Sequence, residues 1–228
     1  MDKVLEFSPS LLQGTVLTIE VALLSLLIAV LLGFLGALAK LAHSRSARFL
    51  ASAYTTLIRG VPDLVLMFMI FYGGQMTLNS IGDRLGFDYI EINPFVAGVF
   101  SLGFIYGAYM TETFRGAILA VPKGQMEAGH AVGMSHWQVF SRILLPQMVR
   151  HALPGFGNNW LVLLKGTALV SLIGLHDVVG RANTHSGSTH KPFSFYLAVA
   201  VVFLVLTTVS VILMRWADQR YSVGVRQA

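Results

Sequence analysis

Long apolar runs alternate with short polar segments along this chain. Uncharged stretches extend from Val21 to Ala39, Ile92 to Thr111 and Pro192 to Met214. Each is close to the ~20 residues an α-helix needs to cross a hydrocarbon core. Two further stretches carry one charge each: Gly60 to Asn79 contains Asp63, and Ala152 to Leu175 contains Lys165. Lipid cannot satisfy exposed backbone polar groups, so only helices or closed barrels span it, and these runs are too long and continuous for barrel strands. The pattern predicts an all-α integral membrane protein with five transmembrane helices.

One polar insert, at about 120–146, interrupts that pattern between the third and fourth runs. Pro122 suits a first helical position, and Gly133 can adopt the left-handed conformation that ends a helix. Ser135 and Gln138 have the spacing of a capping box, which starts another helix. Two short helices around Gly133 are therefore predicted. Trp137, Phe140 and Ile143 then recur at intervals of three, an apolar stripe before Pro146 checks the helix. The stripe alone fits either a helix lying on the membrane surface or one that docks a separate protein.

Composition agrees with a membrane location. Of 228 residues, 55% are hydrophobic and 12% charged, outside the balance of a soluble domain. The net charge of +5 would suit a nucleic-acid binder, but the positions of the cations give a plainer account. Lys40, Arg45, Arg48 and Arg59 lie between runs one and two; Arg115, Lys123, Arg142 and Arg150 between three and four; Arg215, Arg220 and Arg226 after run five. The opposite side has Lys3, Arg84, Arg181 and Lys191. The positive-inside rule then predicts an outer N-terminus, a cytoplasmic C-terminus and a cytoplasmic insert. Cysteine is absent, which excludes thiolate metal sites and cysteine nucleophiles. No repeat or linker divides the chain, so residues 1–228 are expected to form a single transmembrane domain. The first apolar run is too long for a cleaved signal peptide and is expected to be retained. "GFIYG" at Gly103–Gly107 is a small-xxx-small pattern, expected to serve close packing within the subunit.

Ionisable residues at membrane depth are costly and mark function by default. Arg59 and Asp63 are four apart and Glu112 and Arg115 three apart, so both pairs are expected to form local ion pairs on helix faces. Lys165 is expected to pair with a carboxylate of this chain or of a partner. Asn158 and Asn159 place two amides in an apolar span, where they can bind another helix or the carboxylate and amine of an amino acid. Tyr106, Thr167 and Ser171 are further candidates to line a path, and each serves equally well as helix packing. His176, His185 and His190 fall in a predicted outer loop, expected to meet another protein; their spacing fits no compact metal motif, and no metal site is expected.

Glu127, Ala128, Gly129, then Gly133, then Ile143-Leu144-Leu145-Pro146 resembles the EAA loop of membrane subunits of bacterial ABC importers. Gly129 stands where alanine is commoner. The segments "YTTLIRGVPDLVLMFMIFYGGQ", "FIYGAYMTETFRGAILAVPKGQMEAG", "LPGFGNNWLVLLKGTALVSLIGLHDVV" and the terminal "RYSVGV" resemble polar amino acid importer permeases, above all those of the histidine and lysine/arginine/ornithine class. The resemblance implies the type I ABC importer permease fold in the bacterial inner membrane. It also implies a second homologous permease in a heterodimer, a cytoplasmic ATPase dimer and a periplasmic solute-binding protein. On that resemblance Glu127, Ala128, Gly129, Gly133, Ser135, Trp137 and Phe140 form a coupling elbow that fits the ATPase, and Asn159 occupies a position that contributes to the substrate site. Related permeases often carry an acid there, so a carboxylate selecting cationic cargo is expected on the partner permease.

No G-x-x-x-x-G-K-[ST] phosphate loop occurs, so the chain is expected to bind no cofactor and to be no enzyme, with ATP and magnesium held by the partner ATPase. A stand-alone secondary amino acid transporter is the alternative, weakened by five spans and no visible inverted repeat. A membrane enzyme is weaker, for want of a nucleophile-base arrangement.

Overall fold

The computed structural model describes Val4 and residues 6–221. Lys3, Arg226 and residues 222–225 of the terminal "RYSVGV" lie outside the described residues. Five helical segments are long and apolar enough to cross a membrane: Ser8–Leu41, Asp63–Leu85, Pro94–Ala120, the run His136–Ile173, and Pro192–Arg220. Nine α-helices make up the described chain: α1 (Ser8–Leu41), α2 (Arg45–Gly60), α3 (Asp63–Leu85), α4 (Pro94–Ala120), α5 (Lys123–Ala131), α6 (His136–Val139), α7 (Leu145–Gly166), α8 (Val178–Thr189) and α9 (Pro192–Tyr221).

α4 is the hub, and small residues make it so. Glycine replaces a side chain with backbone contact, which lets helix axes approach where lipid offers no hydrophobic drive. A Cβ on Gly33 of α1 would lie 2.4 Å from the Met110 Cβ, and one on Gly36 would lie 2.3 Å from the Thr111 Oγ1. In the other direction, a Cβ on Gly103 would lie 2.7 Å from Ile28, and one on Gly107 2.8 Å from the Tyr54 hydroxyl. The "GFIYG" glycines thus pack inside the subunit. The Ser25 hydroxyl fastens the same seam by donating to the Val99 carbonyl at 3.2 Å.

The second span begins differently from the single run Gly60–Asn79. α2 and α3 are separate helices, broken at Val61–Pro62, where both residues are extended (Val61 φ −115°, ψ 140°). Proline disfavours helical geometry in the residue before it and supplies no N–H of its own, so the break follows from local sequence. It sits deep. Asp63, the first residue of α3, meets Tyr106, one residue from the midpoint of α4. At its far end α3 is tied to the start of α4, where the Gln75 side chain accepts from the Ile92 N–H at 2.8 Å and Asn79 Oδ1 accepts from the Ile90 N–H at 2.8 Å.

Two short helices flank Gly133, which takes φ +84°. The Ser135–Gln138 capping box starts α6, with Gln138 N–H donating to Ser135 Oγ and Ser135 N–H donating to Gln138 Oε1. Pro146 does not check the helix as the sequence suggests. Residues Phe140–Leu144 form a π-helical turn that carries α6 directly into α7, and the Leu145 N–H donates to the Phe140 carbonyl. The wider turn accommodates a proline whose missing N–H and ring would disrupt an α-helical register. α7 ends in a 3₁₀ stretch, Thr167–Ile173, stopped by Gly174 at φ +95°.

The expected outer loop between the fourth and fifth spans contains α8, capped by Asp177, whose Oδ1 accepts from the Gly180 N–H at 2.9 Å. Thr18 of α1 accepts from the Val178 N–H, and Arg181 reaches Ser10 and Gln13, so α8 is bound to the start of α1. The Asp177 carboxyl is sealed from solvent, and Oδ2 has no hydrogen-bond partner. Burial pushes its pKa up to about 6, against the opposing pull of the amides at the helix start. His185 stacks on Phe7 with ring centroids 4.2 Å apart and meets Ser10 through Nε2. Among the described residues no three His, Cys, Asp or Glu side chains converge to hold a metal.

Candidate functional site: a polar strip on α4 and an exposed elbow

The polar strip is built on one face of α4. Tyr106, Tyr109 and Thr113 recur at the i, i+3, i+7 spacing that puts them on a common face, with Glu112 beside them. The helix break delivers Asp63 to the Tyr106 hydroxyl, which donates to Oδ2 at 3.0 Å. Arg59, at the end of α2, lies over the Tyr109 ring, 5.5 Å from its centroid. No Arg59–Asp63 ion pair forms: the two residues belong to different helices on either side of the break, so the i, i+4 geometry that the pairing required does not exist. Glu112 does accept from Arg115 Nε at 2.9 Å and also pairs with Lys40 of α1.

α7 closes the other side of the strip. Asn159 Nδ2 donates to Thr113 Oγ1 at 2.9 Å, and Thr113 in turn donates to the Tyr109 carbonyl. Lys40, Thr55, Thr56, Arg59, Tyr109 and Glu112 line an open polar recess of about 340 Å³ beside this network. Two cations and one carboxylate thus surround the recess, at the ends of α1 and α2 against α4. Such a recess can hold a small charged solute.

The other candidates divide. Thr167 is buried and donates to the Leu164 carbonyl, while Ser171 donates to Ala168, so both hydroxyls are spent on their own helix. Tyr106 is buried apart from its contact with Asp63. Asn158 is exposed, at the edge of a groove between α7 and α9 that also includes Leu153, Met214, Arg215 and Asp218. Lys165 is exposed and has no ion pair or hydrogen bond with any described residue, so the pairing expected within this chain does not occur. Tyr109, Thr113 and Arg59 enter the site without having been singled out as lining residues. Their signal was the spacing from Tyr106 and the proline that separates Arg59 from Asp63.

The elbow presents a different chemistry. Glu127 and Ala128 are exposed on α5, and Val132 and Trp137 are 79% and 72% exposed. Gly129 is buried because α5 packs against the π turn; a Cβ there would lie 2.7 Å from Ile143 Cδ1 and 3.1 Å from Val139 Cγ2. The expected stripe of Trp137, Phe140 and Ile143 holds over its first two members, whose ring centroids lie 5.6 Å apart; Trp137 is otherwise exposed, Phe140 also packs on Phe34 of α1, and Ile143 turns away to cover Gly129. The π turn rotates Ile143 out of the α-helical phase that would have aligned it with Phe140. Gln147 at the base of α7 donates to Gln125 of α5 at 2.5 Å, which ties the elbow to the spanning helix. The result is a braced projection with an apolar tip and one carboxylate.

Comparison with known proteins locates this architecture. Residues 13–223 match the family described as binding-protein-dependent transport system inner membrane component. The chain is 55% identical over 222 residues to the histidine/lysine/arginine/ornithine transport system permease protein HisQ of Salmonella typhimurium, covering 97% of both chains. It is 37% identical to the arginine ABC transporter permease protein ArtQ of Escherichia coli, covering 94% of this chain and 95% of that one. A crystal structure of an amino acid ABC transporter with histidines superposes with a TM-score of 0.80 at 31% identity, covering 95% and 96% of the two chains. The methionine transporter MetNI in an inward-facing form shares the fold, with a TM-score of 0.70 at 16% identity. The fold is that of a type I ABC importer permease with five transmembrane helices, and the relatives are permeases rather than enzymes. The chain belongs to the inner-membrane components of binding-protein-dependent transport systems.

Proposed function

We propose that this chain is a translocation subunit of an ATP-driven importer of basic and polar amino acids of the histidine, arginine, lysine and ornithine class. The observation that carries the cargo class is Asp63, a carboxylate bonded to Tyr106 at the middle of α4, one helical turn from Tyr109 in the wall of an open polar recess. A membrane-depth acid on a helix break offers an ammonium, guanidinium or imidazolium group a counter-charge that lipid cannot. Similarity to permeases named for histidine, lysine, arginine and ornithine supports the same class.

A solute-binding protein delivers the amino acid at the α8 end, and a cytoplasmic ATPase dimer engages the elbow through Glu127, Ala128, Val132 and Trp137. The N-terminus is periplasmic and the C-terminus cytoplasmic in the bacterial inner membrane, which sets the elbow on the ATP side. This chain binds no cofactor; ATP and magnesium belong to the ATPase. A homologous second permease completes the path, as a heterodimer. ATP-driven movement of the ATPases changes the contacts at the elbow, and α7 carries the change to the polar strip.

Reconstitution tests the reading. Proteoliposomes containing the co-purified complex should hydrolyse ATP faster with binding protein and arginine than without. They should accumulate arginine only when ATP is inside. Uptake by this chain alone, driven by a proton or sodium gradient, would establish a secondary transporter instead.

A further inference from the structure

Arg59 is the unanswered cation of the polar recess. Of the charged side chains in the wall, Lys40 is paired with Glu112, and Glu112 also takes Arg115. That carboxylate is therefore met from two sides. Arg59 is exposed and makes no ion pair or hydrogen bond among the described residues; its guanidinium lies over the Tyr109 ring, 5.5 Å from the centroid. Contact with a ring face consumes none of the five N–H donors of a guanidinium, which stay set for a bidentate acceptor. Thr55 spends its hydroxyl on the Ser52 carbonyl, but Thr56, exposed in the same wall, makes no hydrogen bond among the described residues. A Cβ on Gly60 would meet nothing within 4 Å, so the space beside these donors is open. The recess calls for a small anion.

That anion has a defined neighbour. Tyr109 stands one helical turn from Tyr106, with ring centroids 5.7 Å apart, and Tyr106 donates to Asp63. A guanidinium and a carboxylate thus flank adjacent rings, kept from pairing with each other by the extended residues Val61 and Pro62. Four residues of chain span at most about 14 Å, which leaves the two side chains within reach of one molecule that carries opposite charges at its two ends. A basic amino acid is such a molecule.

We infer that Arg59 is the subsite for the α-carboxylate of the transported amino acid, with Thr56 as a second donor, while Asp63 takes the cationic side chain. This rests on the importer reading and adds to it the group that every cargo of the class has in common. The site then discriminates at both ends: a cation without the carboxylate leaves Arg59 unpaired and meets its like charge, which disfavours binding.

The test measures equilibrium binding of arginine, and of agmatine, which is arginine without its carboxylate, to the complex purified through a tag on this chain, with nucleotide and binding protein absent. The unmutated complex should bind arginine about tenfold or more tighter than agmatine, in the range of a charge-assisted hydrogen bond. Arg59→Gln should weaken arginine to the level of agmatine and leave agmatine unchanged or tighter, which also shows that the variant folds. Arg59→Lys keeps the charge without the fork and should fall between. Equal affinity of the unmutated complex for the two ligands overturns the inference, as does an undiminished preference for arginine in Arg59→Gln. A parallel loss of both ligands in that variant overturns it too and assigns the guanidinium to packing on Tyr109. So does undetectable arginine binding by an unmutated complex that still imports arginine. The importer reading fails separately, if proteoliposomes of the unmutated complex show no ATP-dependent uptake.

Discussion

Tyr106 gives its hydroxyl hydrogen bond to Asp63 over 3.0 Å, joining the middle of one spanning helix to the first residue of another. The bond fixes the orientation of a carboxylate that would otherwise swing freely at the helix break. Charge and orientation can be separated by mutation. Asp63→Asn keeps the shape and the acceptor but loses the charge, and should cut uptake of arginine by about tenfold to a hundredfold, the range for a charge-assisted hydrogen bond. Tyr106→Phe keeps the charge and should cost less. Initial uptake rates in proteoliposomes, compared for arginine and a neutral polar amino acid, check both; an equal loss for the two solutes would count against Asp63 as the counter-charge.

Glycine contacts predict the energetics of the α1–α4 seam. Gly33→Ala would bring a Cβ to 2.4 Å from Met110 Cβ and 3.0 Å from the Met110 backbone, so helices must separate. A cost of about 1–3 kcal/mol is expected for such overpacking. Gly116→Ala, on the same α4, meets nothing within 4 Å and should be neutral or stabilising by up to about 1 kcal/mol through helix propensity. Thermal unfolding of the two variants in one detergent measures the difference.

The five spans were legible in the apolar runs, as were the Gly133 turn and the Ser135–Gln138 cap, because each depends on chemistry local to a few residues. The break at Val61–Pro62 was harder to read: proline announces a possible boundary, but only tertiary contact shows that it falls opposite Tyr106. The Arg59–Asp63 pairing failed for that reason. The site residues Tyr109 and Thr113 carry no sign of their role in an isolated sequence, since their partners come from α2 and α7. α2 and α8 were read as connections because neither carries an uncharged run long enough to cross lipid.

Trp137 is the large apolar side chain at the tip of the elbow, 72% exposed. Buried aromatic anchors dominate interfaces, so Trp137→Ala should weaken ATPase binding by about 2 kcal/mol or more, and Val132→Ala by less. ATPase recovered with the tagged complex, titrated against salt and detergent, reports the loss. Unchanged recovery with both substitutions would move the docking surface elsewhere.

Asp177 predicts a pH dependence at the α8 cap. Its folded pKa is raised by burial to about 6 from an ordinary value of 3.8. The folded state therefore holds the proton more tightly, its contribution to stability is greatest below about pH 4, and it is lost as pH rises through about 6. The full difference is up to about 3 kcal/mol, at 1.36 kcal/mol per unit. Asp177→Asn keeps a capping oxygen without the charge and should be flat over that window, and more stable than the unmutated protein at pH 7. Hydrogen exchange of the Gly180 and Arg181 amides across pH 4–7 distinguishes the two profiles.

The π turn at Phe140–Leu144 sets the azimuth of everything after it. An α-helix turns its side chains by about 100° per residue, so removing one residue from that turn would rewind the rod and swing Asn159 away from Thr113 and Lys165 off its present bearing. The extra backbone link behaves as a phase adjuster between two machines: it lets the elbow keep the heading its docking partner needs while the transmembrane shaft keeps the heading its cargo needs.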